Sequence, residues 1–181
     1  PKPMVTVGGK PILWHIMKTY SAFGFNDFII ALGVKADVIK EYFYNYEIEN
    51  SDFSIELGSK KVTFHNHHLE NNWKVTLLDT GLDTLKGGRI KRTASFIKTK
   101  TNFLTYGDGL CDIDLNELLQ FHKSHGKMVT ITGVQPPARF GEIKEKKGEV
   151  LSFEEKPQAS DGLINGGYMA VSYTHLTLPT M

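Results

Sequence analysis

The sequence predicts an α/β domain, a mixed and mostly parallel sheet flanked by helices. Three observations lead there. Short apolar runs of strand length alternate with stretches of helical periodicity. Glycine and proline mark the boundaries between them. Two segments of strict alternation read as hairpins, which interrupts the strand–helix rhythm and makes the sheet mixed rather than purely parallel.

In chain order, residues 11–23 read as a helix, because Ile12, Leu13, Ile16 and Tyr20 recur at helical spacing between Pro11 in the first turn and Gly24 at the stop. Residues 27–32 form an apolar run suited to a buried parallel strand, ended by Gly33. Residues 35–44 are a second amphipathic helix. Phe53, Ile55, Leu57, Val62 and Phe64 alternate around Gly58-Ser59 and predict a hairpin within 53–68. Residues 73–78 are a strand, followed by a Gly- and Thr-rich loop and a helix over 89–97. A strand over 102–106 ends at Gly107-Asp108-Gly109. Residues 115–125 are a helix stopped by Gly126, with Asp114 as its cap. A strand over 128–134, a hairpin over 142–153 turned at Lys147-Gly148, and a strand starting at Tyr168 complete the pattern. In such sheets ligands bind beyond the carboxyl ends of the strands, so chemistry is sought in the loops after Leu32, Leu78 and Tyr106.

The 181 residues suffice for one domain with a real core, and 40% apolar with 23% charged residues fits a soluble globular class. A net charge of +1 gives no reason to expect nucleic acid or an anionic membrane as a partner. Cys111 is the only cysteine, which excludes an intrachain disulfide and fits a reducing cytoplasm. No apolar run approaches the length of a membrane span, and no signal peptide is visible. Both ends differ from the body of the chain. The sequence begins at Pro1, directly before a motif. Back-translated, Val171-Ser-Tyr-Thr-His-Leu-Thr-Leu-Pro-Thr180 matches one frame of a sequencing-library adapter. Residues 171–181 are therefore expected to be read-through and 1–170 the native domain sequence; the other reading is a short strand, which Val171, Tyr173 and Thr174 suit.

Phe103-Leu-Thr-Tyr-Gly-Asp-Gly109 carries the strongest chemistry. An apolar strand delivers Asp108 to the sheet edge between two glycines, where a polyphosphate can approach and a carboxylate can hold Mg²⁺. A plain Asp-Gly turn has the same letters. Lys2, between Pro1 and Pro3, is a fixed positive charge suited to phosphate, or an ordinary surface lysine. Thr80 to Arg89, with Thr84 and Gly87-Gly88, follows a strand and opens a helix, as an anion or base nest or a flexible loop does. Glu155 can accept sugar hydroxyl protons and Lys156 can bind a sugar phosphate, or both belong to a charged turn. Asn165-Gly166-Gly167 is otherwise a bend. His65 and His67 share a strand face but lack a third ligand, so with His68 they read as an exposed hairpin; Cys111 reads as a small buried residue, and Trp14 and the tyrosines of 42–46 as packing.

The order of these motifs resembles the bacterial glucose-1-phosphate cytidylyltransferases of the sugar nucleotidyltransferase superfamily. The residues that carry it are Pro1-Lys-Pro-Met-Val5, Gly8-Gly-Lys-Pro-Ile-Leu-Trp-His15, Val75-Thr-Leu-Leu-Asp-Thr-Gly81, Gly87-Gly-Arg-Ile-Lys-Arg92, Thr105-Tyr-Gly-Asp-Gly109, Arg139-Phe-Gly141, Phe153-Glu-Glu-Lys-Pro157 and Ile164-Asn-Gly-Gly167. The resemblance spans Pro1 to about Ala170. It implies a Rossmann-like nucleotide-diphospho-sugar transferase fold and the reaction of CTP with α-D-glucose 1-phosphate to give CDP-glucose and pyrophosphate, feeding CDP-deoxysugars of surface polysaccharide. By family position Lys2 meets the triphosphate and the reacting phosphate. Thr84, Arg89 and Gly107 belong to the nucleotide site, and Asp108 binds Mg²⁺. Gly141, Glu155, Lys156 and Asn165 face the sugar phosphate. The family's opening strand with its Gly-rich loop, which lies mid-sheet, and a second metal-binding aspartate have no counterpart in this sequence. The chain as written is therefore expected to be inactive and poorly soluble. The resemblance implies a homo-oligomer, and the expected location is the cytoplasm. The remaining alternatives are a UTP or dTTP enzyme of the same class and a non-catalytic sugar-nucleotide-binding module.

Overall fold

The computed structural model describes residues 1–137, 140–158 and 162–172. Arg139 and the closing residues 173–181 lie outside these. A single 3₁₀ turn, Lys2–Met4, leads into the small ladder β1 (Thr6–Val7) and β2 (Lys10–Pro11). Then follow α1 (Ile12–Ala22), β3 (Asp27–Leu32), α2 (Ala36–Tyr44), α3 (Tyr46–Asn50), β4 (Phe53–Glu56), β5 (Lys61–Phe64), β6 (Lys74–Asp79) and α4 (Lys86–Thr93). A 3₁₀ turn at Ala94–Phe96, β7 (Thr101–Thr105), α5 (Leu115–His125), β8 (Val129–Val134), β9 (Glu142–Lys146), β10 (Glu149–Glu154) and β11 (Ile164–Ser172) complete the order.

The expected layering is present, with one difference in topology. β3 and β6 pair in parallel, Phe28 opposite Val75 and Leu32 opposite Asp79. β7, β11 and β8 form a separate sheet in which β11 lies between the other two and antiparallel to both. β7 and β8 therefore run parallel to each other, joined through α5 as a crossover requires. The late strand that enters between them converts both ladders to antiparallel. Among the described residues no ladder joins the β3–β6 pair to the β7–β11–β8 sheet. β11 starts four residues earlier than expected, and it continues through Val171 and Ser172, which pair with Asn102 and Thr101 of β7.

α1 holds the two sheets together. Leu13, Ile16, Met17 and Tyr20 form its buried stripe at helical spacing, and Pro11 sets its extended entry. Ile16 and Tyr20 pack with Leu115, Leu118, Tyr168 and Ala170; Leu13 and Met17 pack with Leu32 and Ile39. Full burial of such side chains is worth about 1.5–3 kcal/mol each. α5 has both of its sequence-legible ends. The Asp114 carboxylate accepts from the backbone N–H groups of Asn116 (2.8 Å) and Glu117 (3.1 Å), and Gly126 closes the helix at φ 64°.

The hairpin β4–β5 places Phe53 opposite Phe64 and Ile55 opposite Val62, giving one apolar and one polar face. Of the histidines beyond it, His65 meets the Ser54 hydroxyl at 2.7 Å and His67 is exposed. His68 departs from the expected exposure: its side chain is 11% exposed, with Nε2 at 2.8 Å from Glu47. Trp14 and Tyr46 pack as expected, and the Trp14 indole also donates to the Tyr46 hydroxyl at 2.8 Å.

Candidate active site

The loops after β3 and β6 share hydrogen bonds, and Lys86 at the start of α4 reaches Tyr106 after β7. After β7 the chain turns through Tyr106, Gly107, Asp108 and Gly109. Gly107 lies against the Lys2–Met4 turn: a methyl group on it would sit 3.1 Å from Pro3 Cγ. That approach brings the Lys2-Pro3 segment to the Asp108 loop. Lys2 and Asp108 are both exposed. The loop is anchored from below by Tyr168, 1% exposed, whose hydroxyl donates to the Gly109 carbonyl at 3.1 Å. The Tyr168 ring stacks on Tyr20 at 5.7 Å. Burial raises the pKa of both phenols well above the ordinary value, so Tyr168 remains a donor at neutral pH.

The loop after β6 is organised by two arginines. Thr80, 1% exposed, accepts at its hydroxyl from Arg89 (2.7 Å) and donates to the Leu32 carbonyl (2.7 Å). Arg89 also donates to the carbonyls of Leu32 (2.8 Å) and Leu82 (3.1 Å). Arg92 donates to the Thr80 carbonyl and to the Thr84 hydroxyl, the latter at 2.8 Å. All of these acceptors are neutral; among the described residues neither guanidinium is paired with a carboxylate. Both guanidinium groups therefore stand at the ends of β3 and β6 without a carboxylate partner among the described residues. Close packing explains the glycines. A methyl group on Gly33 would lie 2.6 Å from both Arg89 Nη atoms, and one on Gly88 would lie 2.9 Å from Thr84 Cγ2.

Tyr106 links this loop to the segment expected to face the sugar. Lys86 Nζ lies 4.9 Å from its ring centroid, and the Asn165 amide donates to its hydroxyl at 3.2 Å. Asn165 Oδ1 in turn accepts from Gly167 N–H at 2.8 Å. Glu155 and Gly141 adjoin: a methyl group on Gly141 would sit 3.0 Å from Glu155 Oε2 and 2.8 Å from the Phe153 ring. Lys156 is exposed with φ 46°. Thus the Lys2-Pro3 turn adjoins the Gly107-Asp108 turn through Pro3 and Gly107, Thr84 and Arg89 share one bonded loop, and Asn165 reaches the Asp108 turn through Tyr106. Gly141 and Glu155 form a second cluster on the β9–β10 hairpin, whose described contacts do not reach that turn.

Sequence reasoning did not single out Tyr106, Lys86, Arg92 or Gly33. Tyr106 had a signal, its position directly before Gly107-Asp108-Gly109. The others depend on where the loop folds back. For a divalent cation, Asp108 is a carboxylate without a described hydrogen bond or ion pair, and no cluster of three or more acidic, His or Cys ligands forms among the described residues. One such carboxylate fits Mg²⁺, which binds through one or two carboxylates plus substrate phosphates. No helix among the described residues is long and apolar enough to cross a membrane.

Comparisons with known proteins bear on the family and the fold. The family model described as nucleotidyl transferase matches residues 1–174. A glucose-1-phosphate cytidylyltransferase of Salmonella typhimurium is 49% identical over 173 residues, 95% of this chain and 67% of that protein. A probable glucose-1-phosphate cytidylyltransferase of Bacillus subtilis is 42% identical over 172 residues, 95% of this chain and 66% of its own. The chain thus spans about two thirds of the length of these relatives. Among solved structures, HddC from Yersinia pseudotuberculosis complexed with GMP-PN superposes with a TM-score of 0.64 at 24% identity, covering 99% of this chain and 71% of that one. A UDP-glucose pyrophosphorylase complexed with UDP-glucose gives 0.58 at 16% identity, covering 97% and 69%. Both share the fold.

Proposed function

Because the chain belongs to the nucleotidyl transferase family, we propose that its full-length parent transfers a cytidylyl group from CTP to α-D-glucose 1-phosphate, giving CDP-glucose and pyrophosphate. The observation that carries the reading is the convergence at the β7 turn. There Gly107, directly before Asp108, lies against Pro3, directly after Lys2, while Tyr106 touches Lys86 of the nucleotide-side loop and Asn165 of the sugar-side segment. The 49% identity to a named cytidylyltransferase supports CTP over other nucleotides.

A sugar-phosphate oxygen attacks the α-phosphorus of the nucleotide; that P–O bond forms as the bond to pyrophosphate breaks in line. Two polyanions must be brought together, so alignment and charge neutralisation dominate and no covalent nucleophile is needed. Lys2 meets the reacting phosphates. Thr84, Arg89 and Gly107 hold the nucleotide. Gly141, Glu155, Lys156 and Asn165 hold the sugar phosphate, with Gly141 leaving room for Glu155. Asp108 holds Mg²⁺, which supplies charge neutralisation to the phosphates when bound. The parent acts as a cytoplasmic homo-oligomer that supplies CDP-sugars for O-antigen and lipopolysaccharide assembly.

The test is product formation by the full-length gene product with Mg²⁺ and each of CTP, UTP, dTTP and GTP. CDP-glucose is the expected product, and Asp108→Asn lowers kcat/KM by about 100-fold or more. Preferred use of UTP or dTTP overturns the base assignment. Ligand binding without any product overturns the enzymatic reading in favour of a binding module.

A further inference from the structure

Thr84 is held from three sides, and one of them fixes the polarity of its hydroxyl. Arg92 Nη1 donates to Thr84 Oγ1 at 2.8 Å and also to the Thr80 carbonyl. Gly81 and Gly88 press on the same side chain: methyl groups there would sit 2.9 Å from Thr84 Oγ1 and 2.9 Å from Thr84 Cγ2. Gly81 adopts φ 87°, which turns the loop so that Arg92 reaches back over it; a methyl group on Gly81 would also lie 2.7 Å from Arg92 Nη1.

A guanidinium can only donate hydrogen bonds, whereas a hydroxyl both donates and accepts. With its oxygen accepting from Arg92, Thr84 must direct its own proton elsewhere, and no acceptor within the chain takes it among the described contacts. We infer that Arg92 is a positioning residue that sets the Thr84 hydroxyl as a hydrogen-bond donor to an acceptor atom of the bound nucleotide. The inference rests on the nucleotidyl-transfer reading and adds to it a residue and a bond polarity. The acceptor is a ring nitrogen or carbonyl oxygen of the base, or a phosphate oxygen. Arg92 acts through Thr84 and does not touch the ligand itself.

The experiment is a double-mutant cycle on the full-length gene product, with KM and kcat for CTP and calorimetric binding of CTP, cytidine and inorganic triphosphate. Thr84→Val removes the donor at nearly constant volume and weakens CTP binding about tenfold, the loss of one hydrogen bond. Thr84→Ser restores most of it. Arg92→Met weakens CTP binding to a similar degree with kcat little changed, and adds almost nothing on top of Thr84→Val; Arg92→Lys rescues in part. Loss confined to cytidine assigns the acceptor to the base, and loss confined to triphosphate assigns it to phosphate; either supports the inference. Additive effects of Arg92→Met and Thr84→Val overturn it, as does an Arg92→Met loss matched by a fall in melting temperature alone. If none of the nucleotides binds the unmodified protein, the nucleotidyl-transfer reading itself has failed, a result separate from an additive cycle.

Discussion

Glu70 is a buried carboxylate whose surroundings permit a quantitative prediction. It is 7% exposed, and Oε1 accepts from Lys18 at 2.7 Å while Oε2 accepts from the Tyr46 hydroxyl at 3.2 Å. Tyr46 in turn accepts from Trp14 at 2.8 Å. His68 completes the cluster: its Nδ1 accepts from the Glu70 backbone N–H at 3.2 Å, so the neutral ring carries its proton on Nε2 and donates it to Glu47 at 2.8 Å. Burial alone would raise the Glu70 pKa, but the Lys18 hydrogen bond and charge, aided by Tyr46, outweigh it and hold the carboxyl below its usual value. Replacing Glu70 with Ala removes two hydrogen bonds to a charged group and leaves the Tyr46 proton without an acceptor. Bonds of that kind are worth about 1.5–3 kcal/mol each. The Lys18 end is 40% exposed and recovers solvation, so its share is discounted. The expected net loss is about 2–4 kcal/mol, and about 1–2 kcal/mol for Glu70→Gln, which keeps an acceptor for Tyr46. Urea unfolding followed by tryptophan fluorescence reads this directly, because Trp14 and Trp73, the only two tryptophans, lie 6.1 Å apart beside Lys18. The folded-state pKa is depressed, so the contribution is complete above the unfolded value of about 4.3 and disappears as pH falls through the folded value. Wild type and Glu70→Gln therefore converge in acid. A loss below about 0.5 kcal/mol at pH 7, or a gap that persists unchanged in acid, refutes the reasoning.

Further outcomes follow from other positions. Gly33→Ala pushes Arg89 off Leu32 and Thr80; because a guanidinium end can move, stability changes by less than about 1 kcal/mol, while nucleotide binding by the full-length product weakens about tenfold. An unchanged nucleotide Kd would show that the Arg89 clamp is dispensable. Leu115→Ala, at a fully buried position, costs about 2–5 kcal/mol in the same urea titration, and a cost below about 1 kcal/mol would contradict the packing described. His122 is 2% exposed between Thr130 (2.8 Å) and Ser172 (3.0 Å), and burial, with His125 adding, lowers its pKa. The unfolded chain binds the proton more readily, so stability falls as pH drops below about 6.5. Melting at pH 7.0 and 5.5 checks this: the acid drop shrinks in His122→Gln, and an equal drop in both proteins counts against it.

The parts of the fold that were legible are those governed by neighbours in sequence. Ile16 and Tyr20 follow the helical period, and Asp114 and Gly126 bracket α5 where the capping chemistry puts them. The helix expected over 89–97 begins earlier, at Lys86, and gives way to a 3₁₀ turn at Ala94–Phe96; Gly88, inside its first turns, leaves room for Thr84. The entry of β11 between β7 and β8 was not legible, because its partners lie about thirty to seventy residues away in sequence and leave no local mark. Its first residues read as a bend for a reason the structure retains: the register shifts between Asn165 and Met169, where Gly166 and Gly167 lie. In the site, Gly-Asp-Gly announces Asp108, whereas Arg92 looks like any basic helical residue until the loop folds back over Gly81.

α1 has a consequence for how the molecule comes apart. Each half-sheet has its own apolar cluster, one centred on Tyr168 and Leu115 and the other on Leu32 and Ile39, and Phe28 and α1 contribute to both. Native-state openings should therefore divide into two units, each protecting its own amides against hydrogen exchange, with the α1 amides exchanging only when both have opened. The helix is a shared hub: damage that unseats α1 as a whole reaches both halves, whereas truncation of Ile16 falls on the Tyr168 cluster and truncation of Met17 on the Leu32 cluster.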